Sequence, residues 1–384
     1  MNQAIDYNAL DDDEFRRLVH DWMVANYPEE LRFPPERMHW DQCGGWYLKL
    51  AAKGWLAPGW PREYGGMGLD ANKLLIFMDV CESHGVGRTP DQGMTMVGPL
   101  LIQHGSAEQK AYYLPKILAG EHIWCQGYSE PGAGSDLASL RTSAVRDGDH
   151  YVVNGHKIWT TLAMDANMIF MLVRTQNTGK KQEGITFLLV PLDTPGITVR
   201  PLTNMAGTHE FNEVFFQDVR VPAANLVGEE NRGWYNVAVG LDFERSSIGA
   251  TSNARRTVDD LVAHIRESKV RVSDAIRHRM AEHAIGVQLL RNMAYYIASH
   301  QEKTGIAPTR ESQMAKLFGA EMQQRIAATA AQVFGMEGQA ARPGSPALRY
   351  HYALLRSVAN TIEGGTSEIQ RSVIATRGLG LPRE

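Results

Sequence analysis

The residue types best suited to chemistry fall in four stretches of the chain. Trp124-Cys125-Gln126-Gly127-Tyr128-Ser129-Glu130-Pro131-Gly132-Ala133-Gly134-Ser135-Asp136 combines aromatic, hydroxyl and acidic side chains with closely spaced glycines. Pro131 and its glycines oppose a helix and interrupt strand pairing, so a shaped loop is expected. Its backbone N–H groups can approach an anion, although a tight interdomain turn would have the same composition. Trp159-Thr160-Thr161 sets an aromatic beside two hydroxyls, able to stack on a flat ring and hydrogen-bond its edge; a buried tryptophan with satisfied threonines is the alternative. In Leu241-Asp242-Phe243-Glu244-Arg245 an acid follows an apolar helical run. Partial desolvation there would raise its pKa towards that of a useful base, whereas an exposed charged pair would do nothing. Ile362-Glu363-Gly364-Gly365-Thr366-Ser367-Glu368-Ile369-Gln370-Arg371 reads as a sharp turn into a terminal helix, capped by Thr366 or Ser367. Such a helix start can hold a phosphate or a ring edge, or can simply be well capped.

The elements that must position these residues change period twice. Residues 1–123 read as helices: Asp11-Asp12-Asp13-Glu14 opens one, and Phe15, Leu18, Val19, Trp22 and Met23 recur at helical spacing until Pro28. Trp46 to Ala51 forms a second helix ending near Gly54, Asn72 to Ser83 a third, and Ser106 caps another that ends at Gly120. Residues 124–229 switch to period two, with a hairpin around Asp147-Gly148, a second tight turn at Asn154-Gly155, and strands over 168–174, 185–191, 197–201 and 212–221. Frequent Pro and Gly suit a small barrel or sandwich, and the alternating βα units of a doubly wound sheet are missing. Residues 230–384 return to long helical patterns that suit a four-helix bundle. The expected class is therefore α+β, mainly α: a helical domain, a β domain and a helical bundle.

Bulk properties narrow the function. The chain of 384 residues has 43% hydrophobic and 21% charged residues and a formal net charge of -4, giving no overall attraction to nucleic acid. Three cysteines without paired spacing and thirteen scattered histidines give no metal motif and suit a reducing compartment. The acidic start opposes a secretory or transit peptide, no apolar run is long enough to span a bilayer, and a cytoplasmic location is expected. Gly132-Ala133-Gly134 and Gly378-Leu379-Gly380 both lack the strand, GxGxxG and helix context of a nicotinamide fold.

Taken together, the motifs resemble the acyl-CoA dehydrogenase family nearly end to end. Tyr128 to Asp136 is similar to the family's first signature. Gln332-Val333-Phe334-Gly335-Met336-Glu337-Gly338 through Glu363 to Arg371 is similar to the second. His104-Gly105-Ser106-Ala107-Glu108-Gln109-Lys110 and Asn154-Gly155-His156-Lys157-Ile158-Trp159 fit the same family. The resemblance implies FAD between the β domain and the bundle. Tyr128, Ser129 and Ser135 would border the flavin and the CoA entrance, Trp159 would cover a flavin face and Thr161 would reach its edge. Thr366 and Glu368 would approach the adenosine half. Arg266 and Gln332 to Met336 would contact the FAD of a neighbouring subunit, in a homodimer or homotetramer. Asp242 and Arg245 would touch the pantetheine or acyl end, with Ser135 also at the substrate. The implied reaction is α,β-desaturation of an acyl-CoA in lipid catabolism, with electrons passed to an electron-transfer flavoprotein or similar acceptor. Glu130 and Asp136 are expected to do no acid–base work.

The implied base is where the sequence departs from the commonest pattern. Many members carry a Glu two residues before the Thr of the terminal turn; here Gly364 stands there and Glu363 is one residue further back. A smaller branch, including isovaleryl- and long-chain-type enzymes, carries the base at the position matching Glu244. The expectation is Glu244, with Glu363 as runner-up. Met336 replaces a usual glycine and the segment from Arg266 to Arg277 looks shortened. Two alternatives follow: a non-catalytic partner in a heterotetramer for bulky substrates, or an oxidase or flavin monooxygenase on the same fold.

Overall fold

The computed structural model describes residues 5–382 except 35, 178, 237–249, 305–307, 341, 343 and 344. Its element order is helices, strands, helices. By packing, the chain forms two compact units: Met1–Glu36, Leu69–Gly87 and Arg245–Glu384 in one, Arg37–Gly68 and Arg88–Glu244 in the other.

In the second unit, helices α2 (Trp40–Lys53), α4 (Gly98–His104) and α5 (Ala107–Leu118) accompany a seven-stranded sheet. Gly54 closes α2 in the left-handed region that glycine tolerates. Ser106 caps α5 as its sequence indicates: its hydroxyl accepts from Gln109 N, and the Gln109 side chain accepts from Ser106 N. The short helix α4 was not expected from the sequence. The strands are β1 (Trp124–Gly127), β2 (Ser143–Asp147), β3 (His150–Thr161), β4 (Met168–Arg174), β5 (Ile185–Pro191), β6 (Ile197–Leu202) and β7 (Phe211–Pro222). They run β1-β4-β2-β3-β7-β6, with β5 on the other edge of β4.

Strands β4 and β5 are apolar almost throughout because both of their faces are buried. Met168, Phe170, Leu172, Phe187 and Leu189 pack with Trp60, Leu101, Ile117 and Trp124. The alternate residues Ile169, Met171, Val173, Leu188 and Val190 pack with Tyr151, Val153, Val214, Phe216 and Val219. The sheet is thus the wall between a helix-lined core and a core of its own.

Two turn assignments need correction. The β2–β3 hairpin closes on the pair Asp147 and His150, so its loop is Gly148-Asp149 rather than Asp147-Gly148. Asn154-Gly155 is no turn: β3 runs through it, with a register shift against β7. Asn154 and Asp218 hydrogen-bond each other there, and a Cβ on Gly155 would sit 2.4 Å from Thr142 Oγ1. The glycine is needed for a close crossing, not for a reversal.

The first unit contains α1 (Asp12–Asn26) and α3 (Ala71–His84), packed on each other, and the C-terminal helices α6 (Ala250–Glu267), α7 (Asp274–Thr304), α8 (Thr309–Phe334), α9 (Met336–Ala340), α10 (Ala347–Asn360) and α11 (Ser367–Val373). Phe15, Val19 and Met23, one turn apart on α1, are fully buried. Helix α8 packs against α6, α7 and α10, and Leu261, Leu290, Ile326 and Tyr350 meet in that core. Among the described residues, no helix is long and apolar enough to cross a membrane.

Candidate active site

The loop after β1 has its shape imposed by directed bonds. Glu130 N donates to Ala133 O at 3.1 Å and Ala133 N donates back to Glu130 O at 3.0 Å, closing a tight turn over Pro131-Gly132. Ile158 N donates to Ser129 O at 2.9 Å, which ties the loop to β3. The Lys157 ammonium, fully buried, donates to Glu130 Oε1 at 2.7 Å and to Tyr128 O at 3.1 Å. The Glu130 carboxylate also accepts from Arg141 N at 2.7 Å and Thr142 N at 2.9 Å. Burial pushes the Lys157 ammonium down to about 8. Burial alone would raise the Glu130 carboxyl, but Lys157 and the N–H donors hold it below the usual carboxylate range. Asp136 is bound at 2.7 Å by Lys181.

Strand β3 ends beside this loop. Its register against β7 shifts between Lys157 and Thr160, and Trp159 sits in that bulge with φ of +61°. A left-handed backbone at a tryptophan costs about 1–3 kcal/mol. The ring is displayed, 54% exposed, with an edge contact to Phe211 at 5.9 Å. Thr160 and Asn212 behind it are fully buried. Asn212 Nδ2 donates to Thr160 O, yet among the described residues Thr160 Oγ1 and Asn212 Oδ1 have no partner. Buried polar atoms without partners are uncommon and need a reason. An open aromatic face beside them fits a planar, hydrogen-bonding group such as a flavin. Tyr128, Ser129, Ser135, Trp159 and Thr161 all belong to this unit, the first two directly stitched to β3.

The remaining described sites lie in the first unit. Thr366 is the N-cap of α11, accepting from Ile369 N at 3.2 Å. The exposed Glu368 carboxyl is held below its ordinary range first by a hydrogen bond from its own backbone N–H, then by the Thr366 hydroxyl. The preceding turn is pinned by Lys316 of α8, which donates to Gly365 O at 2.6 Å. Gln332 is exposed near the far end of α8, about 24 Å further along the helix than Lys316, and Met336, also exposed, opens α9. Arg266 is exposed on α6, whose His264 stacks on Phe334. Thr366 and Glu368 therefore form one group, and Gln332, Met336 and Arg266 a distant second. Glu363 is held by Arg356, Nη2 to Oε2 at 2.9 Å. Asp242, Glu244 and Arg245 lie outside the described residues.

Sequence reasoning missed Asn212 and the partnership of Lys157 with Glu130. A lysine two residues before the tryptophan was visible, but its carboxylate partner lies 27 residues away and only the fold joins them.

Residues 11–121, 125–219 and 231–379 match the N-terminal, middle and C-terminal domains of acyl-CoA dehydrogenases. The chain is 36% identical over 384 residues to the acyl-CoA dehydrogenase IpdE1 of Mycobacterium tuberculosis (strain ATCC 25618 / H37Rv), covering 97% of this chain and 99% of that one. It is similar to the solved Tcur3481-Tcur3483 steroid ACAD, with a TM-score of 0.88, 31% identity and coverage of 97% and 98%. It is also similar to the ChsE4-ChsE5 complex from Mycobacterium tuberculosis, with a TM-score of 0.83, 33% identity and the same coverage. This chain belongs to the acyl-CoA dehydrogenase family, as an oxidoreductase acting on acyl-CoA with FAD as its cofactor.

Proposed function

We propose that the chain desaturates an acyl-CoA thioester between its α and β carbons, with Glu244 taking the α proton. The observation that carries the base assignment is the occupied state of its rival. Both Glu363 oxygens face the Arg356 guanidinium, at 2.9 and 3.4 Å, so that carboxylate serves as an ion-pair partner. Bound FAD supplies the acceptor for the β hydride. Trp159 offers the stacking face, Thr161 and the orphaned Thr160 and Asn212 atoms offer hydrogen bonds, and the Tyr128–Ser135 loop borders the substrate side. Asp242 and Arg245 contact the pantetheine or acyl end. Similarity to steroid-handling relatives supports a bulky, ring-bearing acyl group. A panel of acyl-CoAs with an artificial electron acceptor tests this: the expected product is the enoyl-CoA, two hydrogens lighter. Peroxide formed at the same rate under air would instead assign an oxidase, and absence of any enoyl product would overturn the proposal.

A second reading is a subunit that works with a different chain, supported by Met336, 79% exposed at the position of a usual glycine. The separation of Gln332 and Met336 from Thr366 further supports a contact with the flavin of another subunit. Purified alone, such a chain would be flavin-poor and inactive and would gain both on adding its partner. Stoichiometric FAD in the lone chain would count against it.

A further inference from the structure

The Glu130–Lys157 pair spends more than a fold requires. Two charges are taken out of water, and a well-packed apolar pair would commonly serve stability as well or better. What apolar side chains cannot supply is direction. Lys157 reaches both Tyr128 O and Glu130 Oε1, and the same carboxylate gathers Arg141 N and Thr142 N. These bonds join the two segments that present the aromatic and hydroxyl groups: the loop from Tyr128, and the end of β3. Lys157 immediately precedes the register shift that displays Trp159 at positive φ. A strained residue keeps its conformation only where its surroundings over-determine it.

We propose that the buried Glu130–Lys157 pair is a positioning device for the flavin, setting the spacing between the Tyr128–Ser135 loop and the Trp159–Thr161 strand end. It touches neither substrate nor reacting atoms; it acts through the residues it holds. The proposal rests on the flavin assignment of those two segments. Around the pair, Arg174 is a further cation in charge interaction with Glu130. Arg141 is exposed, and Asp136 is engaged by Lys181.

The pH dependence separates positioning from stability. Lys157 has a folded pKa below its ordinary value of 10.5, near 8. Between those values the unfolded chain binds more protons, so this group's contribution to stability rises with pH. The ammonium charge that strengthens the bonds to Tyr128 O and Glu130 Oε1, by contrast, is lost as pH rises through about 8, leaving a neutral amine that donates more weakly.

The test uses holoenzyme and follows FAD release on dilution by flavin fluorescence, alongside the visible flavin band and thermal unfolding, from pH 7 to about 9.5. Wild type is expected to release FAD faster as pH passes 8, with no matching fall in Tm. The double variant Glu130→Gln, Lys157→Met is expected to keep its fold while releasing FAD about tenfold faster or more, with a broadened band and no dependence on pH. Wild-type release and band shape in a folded double variant would overturn the positioning role. If that variant does not fold, wild type decides: release independent of pH across this range overturns the proposal. A wild-type chain that holds no FAD, alone or with a partner chain added, overturns the flavin assignment beneath it.

Discussion

The Arg356 guanidinium and the Glu363 carboxylate meet at 2.9 Å where α10 gives way to the Gly364-Gly365 turn. Arg356 also donates to Asn360 at 3.1 Å, so it is braced from its own helix. The acid nearest to the family's common base position is therefore engaged, not displayed. Glu363→Gln is expected to keep turnover within about threefold of wild type and to change stability by less than about 1 kcal/mol, since the pair is partly exposed. Steady-state turnover and a urea melt check both parts. A loss of turnover by several orders of magnitude would return the base role to Glu363.

Trp159 owes its orientation to a bulge and packs little of its ring against protein. Trp159→Ala is expected to leave Tm within a few degrees of wild type, because the side chain is half exposed and the substitution leaves the left-handed backbone as it is. FAD retention after extensive dialysis is expected to fall about tenfold or more. Retention equal to wild type would remove Trp159 from the flavin face.

Thr160 tests the orphaned atoms. Its hydroxyl is fully buried and unpartnered among the described residues. Thr160→Val replaces it by a methyl of similar shape, so flavin-free protein should hold its stability or gain about 1 kcal/mol. Flavin-bound protein should lose that gain, because the ligand's partner is gone. Calorimetry with and without FAD measures the difference; an equal shift in both forms would show that the hydroxyl makes no bond to flavin.

Acid pH reads the other half of the buried pair. The Glu130 carboxyl lies below its ordinary value of 4.5. Its stabilisation is present above that value and is lost as pH falls through the folded pKa. Wild type is therefore expected to exceed Glu130→Gln in Tm at pH 6, with the gap narrowing below about pH 4. A gap that stays constant down to pH 3 would show that the carboxylate charge is not what stabilises the loop.

Much of the frame was legible in the sequence because its signals are local. Ser106 with Gln109, Asp11 before Phe15, and the apolar runs of β4 and β5 each carry their own period or cap. The features that shape the site depend on partners distant in sequence. Gly155 resembles a turn glycine until Thr142 is placed beside it, and Lys157 resembles a surface lysine until Glu130 closes on it. The bulge at Trp159 is likewise defined by β7, not by the residues around it. Family motifs located these residues without showing how they are held.

Proton abstraction by Glu244 is the central claim, and a single anaerobic mixing experiment tests it. Wild-type and Glu244→Gln holoenzymes, each carrying FAD, are mixed with a turned-over acyl-CoA while the visible flavin band is followed. Wild type should bleach, and Glu244→Gln should keep both its flavin and its colour. Bleaching of Glu244→Gln at the wild-type rate would contradict the assignment.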